Sequence, residues 1–233
     1  MDVQAALERA EGAEGRVKIA VLCGGLGTRL GALTQGLPKP MIPVGGRPYL
    51  ERVLESFAPF REFVLLTGHR SEAIEEHFGD GSRFGLQIEY SRETEPLGTG
   101  GALRDARALL GDRFILTYGD VLRRFDYDRF VQQHMGNCLA VYPKLTTGNT
   151  DVAEGFVVRF DKRAPELPYV DAGFSVMLAG TIDLLPETGP CSFEEIVFAN
   201  LAEHGGLEAE VVDHEFFDIG TPDELAKTRK AFE

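Results

Sequence analysis

VKIAVLCGGLGTRLGALTQGLPKP, residues 17–40, begins as an apolar run of strand length and turns at Cys23 into a loop rich in glycine and cations. Short continuous apolar runs of this kind mark strands buried on both faces. The alternation continues downstream: PYLERVLESF follows with helical periodicity, then EFVLLT and SEAIEEHF, LQIEYS and GALRDARALL, RFILTY and DYDRFVQQHM, and finally CLAVYP. Strands separated by helices predict a mostly parallel α/β sheet covered on both sides. From Phe156 the pattern changes, because FVVRF and VDAGFSVML have no clear helix between them, and a mixed sheet with a small β elaboration is expected there. Helices are expected to restart at Ser192, in Ser-Phe-Glu-Glu, and at Thr221, in Thr-Pro-Asp-Glu, by capping-box spacing.

The chain has 233 residues, 43% hydrophobic and 26% charged, enough to bury a sizeable core. Residues 1–16 are polar, with only a thin apolar stripe, and are expected to be an extension ahead of a domain spanning 17–233. The net charge of −13 disfavours a nucleic-acid partner, since phosphate-backbone affinity comes from clustered Lys and Arg. It leaves room for a nucleotide in a locally positive pocket. Cys23, Cys138 and Cys191 are scattered and in no metal-binding spacing, and the five histidines show no metal pairing. With no signal core and no run long enough for a membrane helix, a cytoplasmic protein with no membrane partner is expected. Monomer and homodimer both remain open.

Ligands of such sheets gather beyond the carboxyl ends of the strands. The first loop there carries Gly24, Gly25, Gly27, Arg29 and Lys39, so backbone N–H groups can approach phosphate or a base edge while cations balance charge. It has no Gly-Lys-Ser/Thr of a Walker A loop and does not complete the dinucleotide-binding Gly-x-Gly-x-x-Gly. PLGTGGAL, residues 96–103, follows another strand and opens a helix, and FILTYGD ends a strand at Asp120. A carboxylate at that position suits magnesium, which takes one or two carboxylates plus phosphate oxygens and waters.

GGLGTRL followed by LPKP resembles the signature of the sugar-1-phosphate nucleotidyltransferases, and the likeness runs from Val17 to the final helix. The resemblance implies a Rossmann-like (GT-A-like) three-layer fold and a reaction in which an NTP and a sugar 1-phosphate give an NDP-sugar and pyrophosphate. It further implies nucleotide contacts at Leu22, Gly24, Gly25, Gly27, Thr28, Pro96, Gly98, Thr99 and Gly101, and catalytic cations at Arg29, Lys39 and Lys162. Asp120 and Asp218, the latter in FFDIGTPDEL, would hold Mg2+. Asp161, Asp171 and Gly173 would meet the sugar phosphate, although Asp161 replaces the family's usual Glu and Asp171 its usual Asn. Short length and the PLGTGGAL form look most like heptose-1-phosphate guanylyltransferases, making GTP and a heptose 1-phosphate the expected substrates. Uridylyl-, thymidylyl- and cytidylyltransferases resemble the chain nearly as well. Two other classes compete. A metal-dependent glycosyltransferase would use an Asp-x-Asp motif, whose form Asp126-Tyr127-Asp128 has away from the strand end, and a nucleotide-sensing module would lack the metal carboxylates.

Overall fold

The computed structural model describes residues 17–25, 30–31, 34, 36–144, 146–213 and 215–233. The expected extension 1–16 and the loop residues Gly27, Thr28 and Arg29 lie outside the described residues.

The chain runs β1 (Lys18–Leu22), the short hairpin β2 (Pro43–Val44) and β3 (Arg47–Pro48), α1 (Tyr49–Ser56), β4 (Glu62–Thr67), α2 (Glu72–Phe78), β5 (Gln87–Arg92), α3 (Gly98–Asp105) and β6 (Arg113–Tyr118). It continues through β7 (Val121–Arg124), α4 (Tyr127–Gln133), β8 (Cys138–Pro143), β9 (Thr150–Ala153), β10 (Phe156–Phe160) and β11 (Tyr169–Leu178). A π-helical turn, Glu194–Phe198, leads into α5 (Ala199–Glu203), followed by β12 (Glu208–Val211), β13 (Glu215–Asp218) and α6 (Pro222–Ala231).

Nine strands form one sheet in the order β5-β4-β1-β6-β11-β8-β12-β10-β9. The first four are mutually parallel. β11 then runs antiparallel between β6 and β8, β12 is parallel to β8, and β10 is antiparallel to its neighbours β12 and β9. The change of pattern expected from Phe156 is this antiparallel portion.

β1 reads as continuous hydrophobe from Ile19 to Leu22 because both its faces are covered. Ile19 and Val21 belong to a core shared with Leu50 and Val53 of α1, whereas Ala20 belongs to a second core with Leu103 of α3 and Val197 of the π turn. Alternation along a strand sends neighbouring side chains to opposite layers, so a helix layer on each side is required. α3 begins at Gly98, three residues before the expected start at Gly101, and stops at Asp105 ahead of a 3-10 turn over Arg107–Leu109.

Caps follow the local chemistry. Asp126 accepts from the Arg129 N–H at 3.0 Å and starts α4. Thr221 accepts from the Glu224 N–H at 3.3 Å and donates to the Glu224 carboxylate at 2.9 Å, with Pro222 in the first helical position. Ser192 makes half of its expected box, accepting from the Glu195 N–H at 3.3 Å, while its hydroxyl donates to Glu194 at 2.7 Å. Among the described residues no helix is long and apolar enough to cross a membrane.

Candidate active site

The loop leaving β1 is pinned to β4, since the N–H groups of Cys23 and Gly24 both donate to the Leu66 carbonyl at 2.9 and 3.0 Å. Gly119, after β6, donates to the Leu22 carbonyl at 3.0 Å. These bonds set the carboxyl ends of β1, β4 and β6 around a cleft of about 430 Å3. Leu22, Gly24, Gly25, Pro96, Gly98, Thr99, Lys39 and Asp120 line it. Eight of the residues expected from sequence therefore line one cleft. Gly101 does not: it sits inside α3, where an added Cβ would come 2.6 Å from that of Leu97. Gly98 has φ +70°, and a side chain there would meet the Cys191 carbonyl at 2.5 Å, so backbone conformation and close packing both require glycine.

Lys39 Nζ lies 2.5 Å from Asp120 Oδ2. Asp218 reaches the same place by a route invisible in sequence. β13 pairs antiparallel with β7, aligning Asp218 with Val121, the residue after Asp120. The buried Tyr49 clamps this pair, its hydroxyl donating to the Phe217 carbonyl at 2.6 Å and accepting from the Leu122 N–H at 3.1 Å. Burial raises the Asp218 pKa, and the charges of Asp120 and Glu224 add to it, opposed by Lys39 and by the Gly220 N–H that Asp218 accepts. Two carboxylates that repel each other at the edge of a cleft, with oxygen donors only, fit a hard divalent cation.

A cluster of polar side chains is bonded together next to Tyr118. Glu194, 1% exposed, accepts from Tyr118, from Thr99 Oγ1 at 2.6 Å, from Ser192 and from Lys162 Nζ at 3.2 Å. Burial pushes its carboxyl upward, but Lys162 and the two hydroxyls outweigh that and leave it below the usual range. Asp171 is half-buried nearby. Burial, reinforced by Glu194, outweighs the Gly173 N–H, Arg123 and Lys162 and pushes its carboxyl up to about 6. The strand β11 is irregular between Asp171 and Ser175, where Gly173 has φ +66° and a Cβ would press 3.1 Å from the Arg123 guanidinium and the Tyr118 ring. Asp161 is committed to its own turn: it accepts from the Arg163 N–H at 2.9 Å and from Arg159 at 3.2 Å, and these contacts lower its pKa.

Sequence reasoning passed over Glu93, Tyr118, Tyr49 and Glu194. Glu93 lines the cleft and accepts from the Leu97 N–H at 3.0 Å, and its place just past β5 was a usable signal. Tyr118 lies in FILTYGD and Glu194 in Ser-Phe-Glu-Glu, segments that point to Asp120 and to a helix start, and Tyr49 lies in no motif.

By this fold and cleft, and by a family model for nucleotidyl transferases that matches residues 18–162, the chain belongs to the nucleotidyl transferase family. It is 34% identical over 227 residues to a mannose-1-phosphate guanylyltransferase of Mycobacterium tuberculosis, covering 91% of this chain but 63% of that protein. It is 29% identical over 214 residues to a D-glycero-alpha-D-manno-heptose 1-phosphate guanylyltransferase of Campylobacter jejuni, covering 88% and 95% respectively. The crystal structure of HddC from Yersinia pseudotuberculosis, complexed with GMP-PN, shares the fold at a TM-score of 0.79 with 24% identity, over 93% of this chain and all of that one.

Proposed function

We propose that residues 17–233 act as a sugar-1-phosphate guanylyltransferase, joining the GMP unit of GTP to a manno-configured sugar 1-phosphate, with a heptose 1-phosphate first and mannose 1-phosphate second. The glycine loop, Lys39 and Asp120 on one cleft, with Asp218 aligned beside the residue after Asp120, carry the reading of the reaction. The Mycobacterium tuberculosis and Campylobacter jejuni relatives, both named for sugars with a mannose-type ring, support the choice of sugar.

Guanine is favoured by Glu93. Its carboxylate faces the cleft beside Gly24, with no hydrogen-bond donor of its own. Guanine offers N1–H and the 2-amino group to such an acceptor, whereas uracil and thymine offer one N–H flanked by carbonyls that a carboxylate repels.

In the reaction, an oxygen of the sugar phosphate attacks the α-phosphorus of the NTP. The bond from that phosphorus to the bridging oxygen breaks, and pyrophosphate leaves with the electron pair. The nucleophile is already an anion, so no general base is needed; what the reaction requires is positioning and neutralisation of charge. Lys39 borders the site of the triphosphate, and Arg29, in the same loop, is assigned to the leaving pyrophosphate by family resemblance. Lys162, held by Glu194, would receive the sugar phosphate, while Asp171 and the Gly173 backbone face the sugar; Asp161 has the weakest claim, given its engagement in its own turn. Magnesium, which the oxygen donors of Asp120 and Asp218 fit, would supply charge neutralisation at the phosphates.

The test is incubation of the purified protein with magnesium and every pairing of GTP, UTP, TTP and CTP with mannose, heptose and glucose 1-phosphates. Pyrophosphate release confined to GTP with a manno-configured sugar is expected. Release with no pair, or with UTP and glucose 1-phosphate alone, would overturn the reading.

A further inference from the structure

His134 closes α4, Cys138 opens β8 and Glu208 opens β12. In the folded chain an imidazole nitrogen, the Cys138 sulfur and a Glu208 oxygen all lie within 4.8 Å of one another. The parallel register of β8 and β12 sets Glu208 directly beside Cys138. No spacing announces the group, since Glu208 is 74 residues from His134 along the chain. It is also separate from the cleft. Cys138 aligns through Val176 with Ile115, well before the carboxyl end of β6, beyond which Asp120 lies.

We propose that His134, Cys138 and Glu208 bind one zinc ion. Thiolate, imidazole and carboxylate together make a borderline-soft donor set that suits zinc, and three protein ligands leave a fourth tetrahedral position to water. Metal–ligand bonds of about 2.0–2.3 Å place tetrahedral ligands roughly 3.5 Å apart, so closing the site requires a movement on the order of 1 Å. The Glu208 side chain, 43% exposed, has the freedom to make it.

An independent feature is the far side of the imidazole. His134 Nε2 lies 2.8 Å from Glu210 Oε2, and Glu210 is itself held by Arg129. A metal-ligating histidine almost always gives its other ring N–H to a carboxylate or carbonyl, which fixes the tautomer and aims the free lone pair at the ion. With Nε2–H donated to Glu210, the lone pair of Nδ1 points towards Glu208, 2.7 Å away. Without a cation the same ring lies within hydrogen-bond distance of two glutamates. When zinc enters, bonds form to nitrogen, sulfur and oxygen, and the thiol proton, with any proton on Nδ1, is released to solvent. The bound ion would tie the end of α4 to β8 and β12. Asp120 and Asp218, with oxygen donors alone, favour magnesium, so the two sites select different ions.

The test is a titration of the chelator-stripped full chain with Co2+ alone. One equivalent is expected to bind with a thiolate-to-cobalt charge-transfer absorption that Zn2+ abolishes, that Cys138→Ser removes and that Asp120→Ala leaves in place. Glu210→Gln should weaken zinc binding by about 10- to 100-fold. Absence of the absorption in the wild-type chain, its persistence in Cys138→Ser, or an unchanged zinc affinity in Glu210→Gln would overturn the site. Should Cys138→Ser not fold, the wild-type spectrum and the Glu210→Gln affinity decide.

Discussion

Asp120 borders solvent, with its side chain 30% exposed, so its removal should leave the sheet intact while taking one oxygen donor from the cleft and leaving Lys39 unpaired. Loss of one preorganised electrostatic contact costs about 3–4 kcal/mol at a transition state. Asp120→Ala is therefore expected to fold normally by circular dichroism and to turn over about two to three orders of magnitude more slowly; near-wild-type pyrophosphate release would remove Asp120 from the reaction. Glu93 makes a different kind of prediction, since it should choose the base and leave the chemistry alone. Glu93→Gln replaces a charged acceptor with an amide that can also donate to a carbonyl, so the kcat/KM ratio of GTP over UTP should fall by about 10- to 100-fold. Asp171 should impose a pH dependence. Its carboxyl rises to about 6 in the folded protein from an ordinary value of about 3.9 in the unfolded chain, so the native state holds the proton more tightly. The stability this group contributes is present below about pH 4 and is lost as pH rises through 6. Denaturant unfolding should show wild type gaining on Asp171→Asn as pH falls from 7 to 4; parallel stability curves would place the Asp171 carboxyl in water.

At the scale of elements, α6 shows what a local signal controls. Its cap at Thr221 satisfies the Glu224 N–H at the start of the helix, and Thr228, inside it, donates to the Asp218 carbonyl at 2.7 Å. Thr221→Ala should cost about 1 kcal/mol, read as a lower urea midpoint with an unchanged m-value. That cap was legible in Thr-Pro-Asp-Glu, as was the Asp126 start of α4, because a cap and its partner lie within one turn of each other. β1, β4 and β6 were legible for a related reason: a strand covered on both faces runs apolar through its middle, as residues 19–21, 63–66 and 114–116 do. Pairings between distant segments were not. Nothing in FFDIG says that β13 lies against β7, and that pairing is what brings Asp218 beside Asp120. Thr99 was readable as a residue at a helix entry, but its bond to Glu194 spans 95 residues, and a buried glutamate has the same letter as the solvated ones around it. Asp161 shows the converse, a motif position whose carboxylate is occupied by neighbours two residues either side.

At the scale of the molecule, the cleft is assembled from segments that share no local structure: the loop after β1, Lys39, the start of α3, Asp120 after β6, and Gly220 beyond β13. A ligand touching all of them binds the folded chain and has no counterpart site in the unfolded one, so its binding free energy adds to folding stability by mass action. At a nucleotide concentration 100-fold above Kd the gain is about 2.7 kcal/mol. For a chain of this length that corresponds to a rise in Tm of roughly 5–10 °C. The net charge of −13 opposes the approach of a triphosphate, which makes the local cations and a divalent ion decisive for whether it binds at all. GTP with magnesium is thus expected to raise Tm by that amount, UTP by less, and GTP with chelator by little. Asp120→Ala should lose most of the shift although its own unliganded Tm is close to wild type. A GTP shift that survives both chelation and Asp120→Ala would mean that the nucleotide is held somewhere other than between the glycine loop and the two aspartates.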